Sequence, residues 1–430
     1  HTRYDGYKRS TVCHNTVVVD MSIQKAMGEP CAEGKLLFFD AADPDMQVVS
    51  VDNTTCYPEK VQRYERTMAL VGINDHDGYV VDCFVVKSPH QQDYFLHGSA
   101  DEPQSVTILG EDGELDMEPV ETMVPEELDW EPPVAANRQS LIHQRGWSYG
   151  LLWDNAVAQP GAGIQQARFT YDEEGPITNI FFVTEDSDEV YTGTDPQIRP
   201  AKENDALVDQ FKRPHFMIRR PGGEGANVFL SVIEPADENA HIRSVSVIDT
   251  GGEGTALKIE GDTFTDIITL YAEGLTATHE GTELTADGLI GQVRIREGQM
   301  QRAYTTERIE FGRCALTSNL PGTLRSAALL SVERFDGQGA FVVDADWTDP
   351  APPPGSLFIL DHGDGYTHGY RVQSVQSDDE GTRIVLADEP GFEYDAETGT
   401  AQFLFHPRYT RTGEHRVLWK PALSLRHIPH

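Results

Sequence analysis

The sequence predicts an all-β protein, with a large antiparallel β-sandwich followed by a smaller C-terminal β domain. Three observations support this prediction. Short runs of β-branched and aromatic residues recur along the chain, Gly, Pro, Asp or Asn bound each run, and helical periodicity between the runs is scarce. Strands at this density without intervening helices are typical of antiparallel sandwiches.

The predicted strands are short and follow one another through the first 250 residues. Residues 74–78 and 111–113 place side chains that tolerate a left-handed backbone between neighbouring runs, as hairpin turns require. The runs are 16–19, 35–39, 47–51, 67–73, 79–87, 93–97, 167–171, 177–184, 216–220, 228–234 and 241–248.

Helix is expected in two short places, one turn over 22–27 and a connecting helix over 201–211. Residues 114–134, rich in Glu, Asp, Pro and Met, are expected to form an acidic surface loop. A second series of strands begins near residue 310. The length suits two units, which predicts a sandwich domain over 1–310 and an accessory β domain over 311–430.

The charge balance excludes one class of partner. The formal net charge is -36, from 70 acidic and 34 basic residues, and such a surface repels a phosphate backbone, so nucleic acid is not expected to bind. Carboxylates in surplus with few lysines suit a protein in concentrated salt, although an ordinary acidic secreted protein is the alternative. No apolar run approaches the roughly 18 to 20 residues that span a bilayer.

The cysteines indicate no disulfide framework. They are five in number and lack the CxxC spacing of zinc or redox sites. Cys13 and Cys83 lie in apolar, β-branched runs, where a thiol is expected to be a small buried side chain. The set is Cys13, Cys31, Cys56, Cys83 and Cys314.

The most informative segment is residues 7–20, followed by Gln24, because a His14–Asn15 pair stands at the start of an apolar strand. One interpretation is a metal ligand or a polar group that faces a substrate cleft. The other is a histidine whose ring is satisfied by backbone carbonyls at a strand end. Composition alone leaves both open.

Residues 14–20 with Gln24 resemble the strand that begins with His-Asn-Thr in heparinase II/III-like polysaccharide lyases, a superfamily that includes exolytic alginate lyases. Four later segments fit the same family in the same order, and the resemblance covers about residues 7–310. These segments are 64–66, 79–84 and 90–98, then 219–222 together with 229–235.

The resemblance implies an N-terminal helical toroid joined to a C-terminal β-sandwich, with β-elimination at a uronic acid in the cleft between them. His14 matches the third protein ligand of a zinc ion, but the other two ligands fall before residue 1. Zinc takes about four ligands, so His14 is expected to be metal-free in this chain unless another chain completes the site. The family's catalytic residues cannot be matched, so no catalytic residue is identified.

Asn15, Arg66 and His97 are the candidate substrate-binding residues, since an arginine can pair with a uronate carboxylate through two hydrogen bonds. His90, Asp93 and His97 offer three possible metal ligands, but strand geometry argues against a single site and favours structural or cleft-facing roles. Residues 361–370 hold two carboxylates, two imidazoles and two phenols. They could bind calcium or sugar, and a glycine-rich hairpin is the favoured interpretation.

Two functions follow from these observations. The first is the sandwich part of a lyase that cleaves uronic-acid polysaccharides, inactive alone, with a separate helical toroid chain as a possible partner. The second is a non-catalytic carbohydrate-binding or structural surface protein. Residues 1–10 show no signal-like apolar run, so the chain is expected to begin inside a domain. A secreted, periplasmic or cell-surface location is expected, possibly at high salt.

Overall fold

The computed structural model describes residues 2–25, 34–132, 141–171, 175–197, 199–202, 204–237, 240–317, 324–335, 337–349, 351–405 and 408–426. It is 59% strand and 4% helix, so the protein is all-β, as the sequence predicts. Among these residues no helix is long and apolar enough to span a membrane.

The elements are numbered in chain order. The helical segments are α1 (Thr2–Lys8) and three 3-10 turns, Thr11–Cys13, Thr54–Cys56 and Trp147–Leu151. The first fifteen strands are β1 (Val17–Val19), β2 (Lys35–Asp43), β3 (Met46–Asp52), β4 (Arg63–Gly72), β5 (Gly78–Lys87), β6 (Gln92–His97), β7 (Gln104–Gly110), β8 (Gly113–Glu114), β9 (Glu118–Pro119), β10 (Trp153–Ala158), β11 (Gly163–Tyr171), β12 (Ile177–Thr184), β13 (Glu189–Pro196), β14 (Lys212–Arg220) and β15 (Ala226–Ala236).

The later strands are β16 (Ile242–Ile248), β17 (Gly251–Gly261), β18 (Thr265–His279), β19 (Thr282–Arg296), β20 (Gln299–Thr305), β21 (Arg308–Phe311), β22 (Cys314–Thr317), β23 (Arg325–Phe335), β24 (Gln338–Val343), β25 (Leu357–Asp361), β26 (Thr367–Asp378), β27 (Gly381–Leu386), β28 (Phe392–Asp395), β29 (Thr400–Phe403), β30 (Thr410–Thr412), β31 (Arg416–Trp419) and β32 (Leu423–Arg426).

The chain divides into two compact units. The first is His1–Glu33, Asp52–Met68 and Asn74–Ala240, and the second is Gly34–Val51, Ala69–Ile73 and His241–His430. The main division therefore falls after Ala240 and not near residue 310. The physical reason is strand pairing: β16 to β20 and the last strand, β32, belong to one sheet, which keeps residues on both sides of 310 together.

The first unit contains a six-stranded sheet in the order β1-β6-β14-β13-β10-β9, and a second sheet in which the order β4-β5-β15-β12-β11-β7-β8 occurs. Alternate residues of their strands, such as Leu96, Phe216 and Phe182, meet in one apolar cluster. The other face of the six-stranded sheet, with Phe95 and Met217, packs in a second cluster that includes Tyr7 and Trp147. Both faces of this sheet are buried, which explains why β6 is buried almost throughout.

Besides β2 and β3, the second unit contains three β structures. One sheet has the order β16-β17-β18-β19-β20-β32, the strands β23-β24-β27-β26-β25-β31 close into a barrel, and β28-β29-β30 form a three-stranded sheet. The barrel and the small sheet share one apolar cluster, to which Phe341, Phe358 and Leu386 belong on the barrel and Phe392 and Ala401 on the sheet. Burial of these rings and aliphatic chains is the main favourable term for this part of the fold.

The predicted helix over 201–211 is wrong for the described residues, which form successive turns. Leu207 N donates to Asn204 O (2.9 Å) and Gln210 N donates to Leu207 O (3.0 Å), while the Asn204 side chain accepts from Ala206 N (3.1 Å). An asparagine that bonds its own backbone two residues on competes with helix formation. Residues 22–25 form no helix either, and 26–27, Cys31 and 133–134 lie outside the described residues.

Candidate functional site

The segment before β1 holds His14 and Asn15 at the edge of the six-stranded sheet. The 3-10 turn Thr11–Cys13 ends at His14, whose backbone is extended. β1 then pairs with β6 in the register Val17↔Tyr94, and Phe95 N donates to Thr16 O (2.9 Å). Asn15 is therefore the next residue along the same ladder, opposite the end of β6.

The Asn15 side chain completes that ladder. Its Oδ1 accepts from His97 N (3.0 Å) and lies 2.8 Å from His97 Nδ1. The backbone N–H can only donate, so the amide oxygen faces His97, and His97 must carry its proton on Nδ1. The amide nitrogen of Asn15, an exposed residue, is left as a hydrogen-bond donor at the surface.

Beneath this edge lies a buried ionic network centred on Asp195. Tyr7 Oη and Arg213 Nε each donate to Asp195 Oδ1 at 2.6 Å. His215 Nδ1 lies 3.0 Å from Oδ2, and His97 Nε2 lies 3.4 Å from the same oxygen. The network follows from strand register, because Asp195 pairs with Arg213 across β13 and β14, and His215 pairs with His97 across β14 and β6.

The electrostatics of the network follow from its burial. Burial opposes ionisation of Asp195, but interaction with His97 when that ring is protonated, the charge of Arg213 and the hydrogen bond from His215 hold its pKa below the ordinary value. Burial, aided by Arg213 and His215, outweighs the opposite effect of the Asp195 charge and holds the pKa of His97 well below its ordinary value. Neutral His97 then presents an unprotonated Nε2, and that atom makes no hydrogen bond.

The close packing of this network requires a glycine in β13. A Cβ atom on Gly193 would lie 2.4 Å from Asn155 Oδ1 and 2.9 Å from the His215 ring. A Cβ atom does not approach other atoms this closely, so a side chain at 193 would displace the Asn155 amide or the His215 imidazole.

His14 itself is exposed, and its ring makes no hydrogen bond within the described part of the chain. Desolvation and the charge of Arg213 lower its pKa, so its imidazole is neutral at pH 7. Among the described residues no group of three or more His, Cys, Asp or Glu side chains could hold a metal ion. His14 therefore does not fit a zinc site without further ligands, and the absence of zinc from the chain stays a prediction.

Arg66 is engaged within the fold. Its Nε and Nη2 donate to the two oxygens of buried Asp82 at 2.8 and 2.6 Å, and its Nη1 donates to Asn15 O at 2.8 Å. The guanidinium thus anchors the backbone of Asn15 to β4, a strand of the other sheet. Pairing of Arg66 with a substrate carboxylate stays a prediction, and it would add to these three bonds.

Other residues of the family-like segment are explained by local structure. The Tyr64 hydroxyl donates to Val17 O (2.5 Å), lies 3.0 Å from Thr16 Oγ1 and accepts from Gln24 Nε2 (2.9 Å). Asp20 accepts from Lys60 Nζ at 2.9 Å. The spacing of Thr16, Asp20 and Gln24 therefore ties the start of β1 to residues 60–64.

His90, Asp93 and His97 do not form one site. Asp93 accepts from Arg219 Nε (2.9 Å) and Nη2 (3.1 Å), and from the hydroxyl of Tyr149. His97 contacts Asn15 and Asp195 instead. Asp93 is thus a structural anchor on the same face of β6 as His97.

Sequence reasoning missed Tyr7, Asp195, Arg213 and His215. Period-two spacing in 212–220 could have placed Arg213 and His215 on one face of β14. Nothing in the sequence links that face to Asp195 or to Tyr7, because the connection depends on sheet order and on the fold of the N-terminal segment.

Comparisons with known proteins give limited likeness. No protein-family model matches the chain, and no curated protein matches it. Among solved structures, heparan sulfate lyase HepC from Pedobacter heparinus matches 61% of this chain and 31% of its own at 12% identity and a TM-score of 0.34. A mutant of that lyase matches the same shares at 13% identity and a TM-score of 0.36.

A putative aldose 1-epimerase from Escherichia coli K12 matches 53% of this chain and 81% of its own at 10% identity and a TM-score of 0.25. The chain thus spans about a third of the length of the two lyase structures. TM-scores this low do not establish a shared fold, and identities this low say nothing of activity.

Proposed function

We propose that this chain is the glycan-contacting sandwich portion of a polysaccharide lyase that acts on uronic-acid polymers by β-elimination. The observation that carries the proposal is the exposed His14–Asn15 pair. The Asn15 side chain is hydrogen-bonded to His97 of the buried network. The amide nitrogen of Asn15 and the neutral ring of His14 offer hydrogen bonds to sugar hydroxyls or to a uronate carboxylate. The order of the family-like segments along the chain is the second support.

A glycan-binding protein without catalytic activity is the second candidate. Apart from the exposed His14, the titratable side chains beneath Asn15, namely Tyr7, His97, Asp195 and His215, are buried within the network. A general acid or base must reach the atom whose proton it transfers, and these groups do not reach the surface. On the first proposal this chain supplies binding and a helical toroid on another segment or chain supplies the chemistry. On the second proposal the chain supplies binding alone.

Binding is tested by calorimetric titration of the full chain with uronate oligosaccharides, and with a neutral glucan as the ligand control. Asn15→Ala and His14→Ala are expected to weaken uronate binding at least tenfold, while His76→Ala, in an exposed turn, leaves it unchanged. Titration at low and high salt is needed, because the net charge of -36 repels anionic glycans when screening is weak. Equal affinity for the neutral glucan would contradict a uronate site.

Catalysis is tested separately by the ultraviolet absorbance of unsaturated uronate products. The chain alone is expected to release none, and release by the chain alone would refute a purely binding role. A zinc cofactor, a secreted or cell-surface location and a high-salt source stay predictions of the sequence.

A further inference from the structure

Three histidines of the second unit form a continuous hydrogen-bonded chain. His368 Nδ1 lies 2.8 Å from His362 Nε2, and His362 Nδ1 lies 2.8 Å from His415 Nδ1. His415 Nε2 lies 3.1 Å from Gly399 O, where the chain ends. We call these three rings the histidine chain.

The histidine chain joins segments that are distant in sequence. His368 lies in β26, and His362 and His415 lie directly next to β25 and β31, so all three stand in or beside strands of the barrel. Gly399 lies in the turn between β28 and β29 of the three-stranded sheet. The hydrogen bonds therefore tie the three-stranded sheet to one end of the barrel.

The carbonyl at the end of the chain fixes every tautomer. Gly399 O can only accept, so His415 Nε2 carries a proton, and in neutral His415 the Nδ1 atom is an acceptor. His362 must then donate from Nδ1 and accept at Nε2, and His368 must donate from Nδ1. Three neutral rings therefore satisfy all three hydrogen bonds with the proton of each ring placed.

Counting protons gives the capacity of the chain. Each of the two N···N contacts and the N···O contact needs one proton, which makes three, and the only other ring nitrogen is Nε2 of His368. A fourth proton can sit there, and every hydrogen bond is kept. A fifth proton would place two N–H groups against each other at 2.8 Å, which breaks the chain.

We propose that the histidine chain is a proton-binding site with a capacity of one: the first added proton is shared along the three rings, and the second releases the three-stranded sheet from the barrel. This inference concerns the second unit alone and does not depend on the proposed glycan binding. It makes the sheet an acid-sensitive element of the fold.

The surroundings of the chain oppose charge. His362 and His415 are buried, and the rings of Phe392 and Phe403 lie 6.0 and 5.5 Å from the ring of His362. Burial, then the charges of the neighbouring rings and of Arg411, lowers the pKa of His362 to about 3. Burial also lowers the pKa of His368 and of His415.

Charged groups of β30, of the turn between β25 and β26 and of the end of β25 act on the histidine chain. Arg411 of β30, stacked on Tyr366, opposes protonation of His362 and His368. Asp364 of the β25–β26 turn and Asp361 at the end of β25 favour protonation of His415, and Asp364 also favours that of His368. The Tyr394 ring of β28 lies 5.1 Å from that of His415 and adds no charge near neutrality.

The test is hydrogen exchange of the full chain, read by mass spectrometry on peptides that cover 400–405 and 410–419, after correction for the intrinsic effect of pH. When unfolded, the three histidines take up to three additional protons as the pH falls below about 6.5. The histidine chain of the folded protein takes up at most one. Protection of these peptides is therefore expected to fall about 50-fold to 500-fold between pH 6 and 5. A fall of tenfold or less would overturn the proposal.

Variants sharpen the test. His362→Phe keeps an apolar ring in the core but removes the link between His368 and His415. Each of these two histidines then titrates alone, and the loss of protection between pH 6 and 5 is expected to shrink to tenfold or less. His279→Asn lies in the same unit but outside the histidine chain, so the full loss of protection at low pH is expected to remain. If His362→Phe fails to fold, the pH dependence of protection in the unaltered protein still tests the proposal. Stoichiometric metal that is removed only with loss of protection would also overturn the proposal, because metal-bound nitrogens cannot share protons.

Discussion

Each of the two units buries a network of histidine rings, but the networks differ in the groups that surround and hydrogen-bond the rings. In the first unit, Asp195 and Arg213 supply a fixed pair of opposite charges, Asp195 orients His215, and Asn15 orients His97. In the second unit, only a carbonyl terminates the histidine chain, and no charged group is hydrogen-bonded to it among the contacts of the described residues. The first network depends on charge pairing, whereas the second depends on proton count.

The largest expected effect is loss of the charge pair in the first unit. Asp195→Asn leaves Arg213 buried without a counter-charge, and it is expected to lower the free energy of unfolding by about 3–5 kcal/mol. Urea unfolding followed by tryptophan fluorescence measures this, since Trp147 lies in the same unit. The control is Asp388→Asn, which removes the exposed partner of Arg371 and is expected to cost less than about 1 kcal/mol. Equal costs would mean that the buried pair contributes no more than a surface pair.

The next largest expected effect is the loss of stability at low pH, which differs between the two units. A histidine whose folded pKa is lowered stabilises the native state above its unfolded pKa, and that stability is lost as the pH falls below it. The histidine chain is expected to cost the second unit about 2–3 kcal/mol between pH 7 and 5.5, and His97 is expected to cost the first unit about 1 kcal/mol. Hydrogen exchange resolved by peptide compares the two units in one sample. A first unit that loses more than the second would reverse the comparison.

Packing of the first network gives a smaller effect. Gly193→Ala forces a methyl group against Asn155 and His215, and it is expected to cost about 1–3 kcal/mol. Gly223→Ala is the control, because a Cβ atom there would have no neighbour within 4 Å. Thermal unfolding of both variants gives the difference, and a Gly193→Ala protein as stable as the control would show that the network can shift without loss.

The fold could be predicted far better than the site. Alternating burial in β4 and continuous apolar runs in β5 and β12 are local patterns, so the strands over 67–73, 79–87 and 177–184 are found close to where they were expected. The site depends on sheet order instead. Asp195 reaches His97 only because β14 lies between β13 and β6, and no local pattern in the sequence specifies that order.

His14→Ala is expected to have the smallest effect on stability. The ring is exposed and makes no hydrogen bond within the described residues, so the free energy of unfolding should change by less than about 0.5 kcal/mol. The same urea unfolding measures it. A loss above 1 kcal/mol would give His14 a structural role and weaken its assignment to glycan contact.

The most direct test of the comparison is the imidazole nitrogen NMR spectrum of the chain, selectively labelled at histidine, near pH 7.5. The structure predicts a proton on Nδ1 of His97, His215, His362 and His368, and on Nε2 of His415. On acidification the histidine chain is expected to take up one proton shared among its three rings before the small sheet is released. Protons on Nε2 of His362 and His368 near pH 7.5, or three independent titrations in the folded protein, would contradict it.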